Sequence, residues 1–114
     1  MLVIAPLPEF PWDAPYCVMR SIRTGVDACV LPRSAVDERR NRTVAALERV
    51  AARHPTVRLL DPINLFCSSE QCRPNNGKTM FFSDTSHLSA AGAERLFKAF
   101  KSDFDWVFGA SMLR

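Results

Sequence analysis

Asp84 and His87 are the two side chains best suited to proton transfer, and they stand three residues apart. They lie in the segment Phe82-Ser83-Asp84-Thr85-Ser86-His87-Leu88-Ser89, between a short predicted strand and a predicted helix. One turn of chain can bring the carboxylate to the imidazole, where it accepts a hydrogen bond from Nδ1 and leaves Nε2 as a general base. The spacing alone leaves a second interpretation open, in which both residues merely cap the helix that starts near Ser89.

Four cysteines form the second chemical group, and four cysteines allow three disulfide pairings. They are Cys17, Cys29, Cys67 and Cys72. Cys67 and Cys72 enclose a short loop that is easily bridged, whereas zinc sites usually use more closely spaced ligand pairs. Zinc binding and free buried thiols remain the alternatives at this point. Disulfides would indicate an oxidising compartment, such as a bacterial periplasm.

The other ionisable and aromatic residues favour structural roles. His54 follows the first predicted helix, where a cation interacts well with the helix dipole. The Arg39-Arg40-Asn41-Arg42 cluster is typical of a solvated helix face, and Asp61 is typical of a cap where a loop starts. We expect four phenylalanines to lie in the core rather than to stack on a ligand: Phe97, Phe100, Phe104 and Phe108.

Hydrophobic spacing predicts the elements that must position these residues. The clearest is a helix over residues 34–53, with Ser34 as its N-cap and Asp37 completing a capping box. A second helix is predicted over residues 89–101, and short strands over residues 2–5 and 57–61. Strand, helix and strand in this order indicate a parallel βαβ unit with a right-handed crossover. The other segments are irregular loops at 6–33 and 62–80, a short extended piece at 79–82, and an unassigned tail at 104–113.

Length and composition limit the class of protein. The 114 residues, 47% hydrophobic and 24% charged, fit one globular domain. A net charge of +3 is too mild to indicate nucleic-acid binding. Leu2-Val3-Ile4-Ala5 is too short for an export signal, and no apolar run approaches the roughly 20 residues of a membrane helix. Because a parallel sheet is normally buried on both faces, the two predicted strands need neighbours that the sequence does not visibly supply.

The order of four motifs carries a family resemblance. They are residues 2–10, Leu60-Asp61-Pro62, the Cys67–Cys72 loop and residues 82–93, whose most specific string is Asp-x-x-His-Leu-Ser-x-x-Gly-Ala. Together they cover roughly residues 2–100 and resemble the C-terminal half of an SGNH hydrolase-type domain. More narrowly, the chain is similar to the SGNH domain attached to integral-membrane acyltransferases that acylate bacterial surface polysaccharides.

The resemblance implies an α/β fold, a three-layer α/β/α sandwich around a parallel sheet, and ester chemistry by a Ser-His-Asp triad. His87 would be the general base and Asp84 its orienting partner. Cys67 and Cys72 would form a loop disulfide outside the cytoplasm, and the domain would lie in the periplasm or at the periplasmic face of the inner membrane. The implied partners are an acyl-ester or glycan substrate and the membrane acyltransferase domain, with no cofactor and no metal.

The chain departs from the family pattern in one respect, because it contains no Gly-Asp-Ser segment. In the family, the nucleophilic serine and the oxyanion-hole residues precede the strand that corresponds to residues 2–5. We therefore expect residues 1–114 to be a single partial domain, the C-terminal portion of an SGNH-like domain without its N-terminal strands, and inactive alone. Ser83, Ser86 and Ser89 lie too close to His87 to replace that nucleophile. The alternative is a non-catalytic binding or structural module that dimerises to cover its strand edges.

Overall fold

The computed structural model describes residues 1–112, which fold into a mixed α/β arrangement. The elements in chain order are β1 (Leu2–Ile4), α1 (Ala14–Thr24), β2 (Leu31–Pro32), α2 (Arg33–Arg53), β3 (Arg58–Leu60), β4 (Gln71–Cys72), β5 (Asn75–Asn76), β6 (Thr79–Met80), α3 (Ala90–Ala99) and α4 (Lys101–Met112). None of these helices is long and apolar enough to cross a membrane.

Strand β1 pairs with β3 in parallel, which confirms the two predicted strands. Leu2 lies opposite Arg58 and Ile4 opposite Leu60. The amide of Ala5 donates to the carbonyl of Leu60 at 2.8 Å, which extends the pairing beyond β1. Within residues 1–112 this sheet has two strands, and the other pairs, β2–β4 and β5–β6, are separate and antiparallel.

The sheet is less covered than a complete parallel sheet would be. The side chain of Ile4, the last residue of β1, is 42% exposed. The Cα radius of gyration is 15.8 Å, whereas a compact domain of this length has about 13 Å. The elements are therefore spread over more space than a closed domain requires.

Helix α2 lies where the hydrophobic spacing predicts it, but its predicted cap is wrong. The helix begins at Arg33, Pro32 is its N-cap, and no side chain caps it. The reason lies in the preceding strand: β2 runs directly into α2, and the amide of Arg33 already donates to the carbonyl of Glu70. Ser34 is thus inside the first turn, and Asp37 instead accepts a hydrogen bond from the Arg33 guanidinium at 3.0 Å.

Helix α1 corrects the prediction of an irregular loop over residues 6–33. Asp13 caps it by accepting a hydrogen bond from the amide of Tyr16 at 3.0 Å. Pro15 sits in the first turn, where a missing N–H costs nothing. Gly25 ends the helix in the left-handed region, with φ of 72°. The proline and the glycine that suggest a loop are in fact the start and stop signals of a helix.

The core is built around aromatic side chains from three segments. Phe10 and Phe82 meet edge to face with ring centroids 5.1 Å apart, and Phe66 meets Phe82 at 5.2 Å. Phe82 is fully buried and directly precedes the segment that contains Asp84. The core therefore anchors one end of that segment.

The prediction that Phe97 and Phe108 lie in the core is wrong, since they are 46% and 44% exposed. Helix α3 turns Gly92 and Leu96 inward instead. Helix α4 occupies the unassigned tail, of which residue 113 lies outside the described residues. Asp103 on α4 pairs with Arg58 of β3 at 2.8 Å, which fixes α4 beside the parallel strands.

Candidate active site

Asp84 and His87 meet through a direct hydrogen bond. Oδ2 of Asp84 lies 2.8 Å from Nδ1 of His87. The other carboxylate oxygen, Oδ1, accepts the amide hydrogens of Ser86 and His87, each at 2.8 Å. Those two amides, and then the His87 ring, hold the pKa of Asp84 below its usual value. The carboxylate is therefore fixed, ionised and aimed at Nδ1, which is the arrangement that leaves Nε2 as a base.

The segment that carries the pair is closed into a small loop by main-chain bonds. The amide of Ser83 donates to the carbonyl of His87 at 2.8 Å. Phe82 and Leu88, at the two ends of the loop, form an antiparallel bridge. These main-chain contacts hold the loop together with the two bonds that Oδ1 of Asp84 accepts from the amides of Ser86 and His87.

The connection between β1 and α1 holds this loop from the other side. The amide of Phe10 donates to the carbonyl of Thr85 at 2.8 Å, and the amide of Ala14 donates to the carbonyl of Asp84 at 3.3 Å. These contacts join the end of the parallel sheet to the loop. Sequence patterns give no sign of them, because they involve main-chain atoms far apart in the chain.

Helix α3 is capped by Ser89, so the interpretation of Asp84 and His87 as its caps is wrong. The Ser89 hydroxyl accepts the amide of Gly92 at 3.1 Å and donates to the carbonyl of Met80 at 2.5 Å. Gly92 lies against the main chain of Phe81, where an added Cβ would come within 2.1 Å of the carbonyl oxygen. Only glycine allows α3 to begin this close to the loop.

The chain matches the model of the SGNH domain that occurs fused to AT3 domains, over residues 1–102. It belongs to this SGNH family. The expected family resemblance is thus confirmed, and with it a function associated with ester hydrolysis or acyl transfer. Neither a curated protein nor a solved structure matches the chain.

All four cysteines of this SGNH domain form disulfides. Cys17 bonds to Cys29 and Cys67 bonds to Cys72. The zinc and free-thiol alternatives are therefore wrong for these residues. In residues 1–112, no group of three or more potential ligands is placed to hold a metal ion. The disulfides indicate an extracytoplasmic location, and the association of the family with AT3 domains agrees with it.

Arg40 corrects the prediction of a solvated arginine cluster. Its side chain is only 6% exposed, and Nη2 contacts Oδ1 of Asp61 at 2.5 Å. Nε donates to the carbonyl of Pro6 at 3.1 Å. Asp61 also accepts the amide of Ile63, so it does begin the next loop as predicted. Arg40 thus ties α2 to the chain just after β1 and just after β3, whereas Arg39 and Arg42 are exposed.

The Asp84–His87 pair itself is open. The His87 side chain is 79% exposed and that of Asp84 is 44% exposed. Nearby hydroxyls are engaged elsewhere: Ser83 donates to the carbonyl of His87, and Ser89 to that of Met80. His54, the other histidine, is the exposed C-cap of α2.

Proposed function

We propose that this SGNH domain supplies the histidine and aspartate of a Ser-His-Asp site that cleaves or transfers O-acyl groups of surface glycans in the periplasm. One observation carries the proposal: Asp84 is locked by two amides and bonds to Nδ1 of an exposed His87 at 2.8 Å. A merely structural pair would not need the second nitrogen of the ring to stay accessible.

The chemistry follows from that geometry. Nε2 of His87 takes the proton of a serine hydroxyl as the serine oxygen attacks the acyl carbonyl carbon. The imidazolium then gives the proton to the leaving sugar oxygen, and the acyl group remains on the serine. Water or a second sugar hydroxyl attacks next, again with His87 as base. Asp84 stabilises the imidazolium in both steps.

We place the serine and the oxyanion donors on polypeptide outside the described residues. Ser83 and Ser89 use their hydroxyls on main-chain carbonyls, which leaves them poorly placed to act as nucleophiles. The exposed His87 and the two-stranded parallel sheet both leave room for such a segment. Sequencing the coding DNA upstream of the Met1 codon tests this placement. We expect an open frame that encodes Gly-Asp-Ser; a stop codon and a ribosome-binding site directly upstream would contradict it.

The tautomer of His87 tests the site in the chain itself. We expect nitrogen NMR of the two imidazoles to show Nδ1 protonated and Nε2 bare in neutral His87, the reverse of the usual preference of a free imidazole. His54, which is exposed at the end of α2, is the internal reference. Asp84→Asn should remove the bias at His87 and leave His54 unchanged. A His87 that carries its proton on Nε2 would refute the proposed base.

Activity tests the reaction. The 114-residue chain should not hydrolyse a chromogenic acetyl ester above the rate of its His87→Gln variant. Joined to a segment that carries the family's Gly-Asp-Ser, it should turn over. His87→Gln should abolish that turnover, Asp84→Asn should reduce it by up to about 10⁴-fold, and His54→Gln should leave it intact. Turnover by the chain alone that depends on His87 would show that its own residues include the nucleophile.

The open edge of β1 favours one second candidate, a non-catalytic module that pairs with another copy of itself. Sedimentation equilibrium distinguishes the two functions. A dimer that resists dilution, together with no activity after the serine segment is added, would favour the module.

A further inference from the structure

Helix α1 presents an apolar face that nothing in the described residues covers. Its large apolar side chains, with that of Val26 just beyond its end, are among the most exposed in the structure. They are Tyr16 at 64%, Met19 at 71%, Ile22 at 73% and Val26 at 63%. At about 100° per residue, Tyr16, Met19 and Ile22 share one side of the helix, and the buried Ala14 and Val18 lie on the other. A shallow groove of 310 Å³ runs along the exposed side.

The same face carries only positive charge. Arg20 and Arg23 line the groove beside Tyr16 and Met19, and both arginines are exposed. No aspartate or glutamate lies within α1. Of the nearest carboxylates along the chain, Asp13 caps the first turn and Asp27 pairs with Arg73 at 2.7 Å. Apolar side chains flanked by arginines match a surface that is anionic outside and apolar beneath.

We propose that the exposed face of α1 docks this SGNH domain on an anionic lipid bilayer surface. Tyr16, Met19 and Ile22 enter the boundary between headgroups and acyl chains, and Arg20 and Arg23 contact lipid phosphates. This proposal does not depend on the ester chemistry.

Two other occupants fit the observations less well. Additional strands of the sheet would pack on the side of α1 that is already turned inward through Ala14 and Val18. A second copy of the chain would bring Arg20 and Arg23 against their own counterparts, so that like charges meet across the contact. An anionic surface instead neutralises them.

The helix is held ready for this contact. The disulfide between Cys17 and Cys29 ties α1 to the chain that leads into β2. The hydroxyl of Ser21, also on α1, lies 3.1 Å from Sγ of Cys29 and adds a second contact to the same cysteine. The face is therefore presented already folded, and binding does not have to meet the entropic cost of ordering a helix.

Co-sedimentation with vesicles tests the proposal on the oxidised 114-residue chain. We expect binding to vesicles of phosphatidylcholine with a quarter phosphatidylglycerol, weaker binding to pure phosphatidylcholine, and loss of binding as salt rises. Arg20→Gln with Arg23→Gln should lower the partition coefficient about 30-fold, at about fivefold per arginine. Met19→Ser with Ile22→Ser should lower it at least about tenfold.

The matched control uses the exposed arginines of α2. Arg39→Gln with Arg42→Gln removes the same charge from another helix and should change binding by less than about threefold. Circular dichroism verifies that each variant is folded. The proposal is overturned if the native chain shows no preference for anionic vesicles, or if the control loses as much binding as the α1 variant. It is also overturned if Met19→Ser with Ile22→Ser abolishes a self-association that accounts for the exposed face.

Discussion

Two ion pairs of this domain, Arg40–Asp61 and Asp84–His87, each contain an aspartate but differ in how far the partner of that aspartate is exposed. In the Arg40–Asp61 pair, the arginine is 6% exposed and also bonds to the carbonyl of Pro6. In the Asp84–His87 pair, the histidine is 79% exposed, and its second ring nitrogen has no partner in the described residues. The Arg40–Asp61 pair, with its buried arginine, ties three segments together, whereas the open pair holds one ring in one orientation.

The difference in exposure helps to distinguish ion pairs that stabilise the fold from ion pairs that position a side chain. An exposed pair contributes roughly 0–1 kcal/mol to stability, whereas leaving the partners of a buried arginine unsatisfied costs several times more. A chain that fixes an exposed carboxylate with two amides gains little stability from doing so. Under the function that we propose, the fixed carboxylate serves to orient the His87 imidazole.

The largest expected effect is the loss of the Arg40–Asp61 pair. Arg40→Met keeps most of the packing but removes the guanidinium from the Pro6 carbonyl and from the partly exposed Asp61 carboxylate. We therefore expect about 2–3 kcal/mol less stability in urea unfolding. His87→Gln is the comparison and should change stability by less than about 0.5 kcal/mol. If the two variants unfold alike, the division into a structural and a presented pair is mistaken.

A smaller effect is expected where α3 approaches the loop. By helix propensity alone, Gly92→Ala would stabilise α3 by about 0.5–1 kcal/mol. The Phe81 carbonyl, 2.1 Å from the added Cβ, reverses that sign, and we expect a net loss of about 1–3 kcal/mol. The NMR signal of His87 should shift as well, because the loop must move. A stabilised variant with an unchanged His87 signal would disprove the close approach.

The smallest effect concerns pH. The amides of Ser86 and His87 lower the pKa of Asp84 below its ordinary value. A group with a lowered folded pKa stabilises the fold above its unfolded value and loses that contribution as pH falls through the folded value. The wild type should therefore exceed Asp84→Asn in stability by a small margin at pH 6, and the margin should be lost as the pH falls through the folded-state pKa of Asp84. Paired thermal unfolding curves measure it, and a margin that grows in acid would contradict the assignment.

Local patterns predicted what depends on neighbours in sequence. The meeting of Asp84 with His87 needs one turn of chain, and the position of α2 needs only its own spacing. The burial of Arg40 cannot be predicted from local patterns, because its partners Pro6 and Asp61 lie 34 and 21 residues away in the sequence. The exposure of Phe97 likewise depends on which face of α3 packs inward, and Gly92 decides that through its contact with Phe81.

The prediction for α1 fails for a different reason. Pro15 and Gly25 interrupt most elements, and their presence predicts a loop. The cap at Asp13 and the spacing of Tyr16, Met19 and Ile22 by three residues are the signals that distinguish a helix here. The disulfide between Cys17 and Cys29 then holds the helix, and no periodic pattern records that.

The two amides that hold the loop of Asp84 and His87, those of Phe10 and Ala14, are each followed by a proline. Pro11 and Pro15 have no N–H to donate, so a shift that placed them opposite Thr85 and Asp84 would lose both bonds at once. The two prolines therefore disfavour a shift of the segment in that direction.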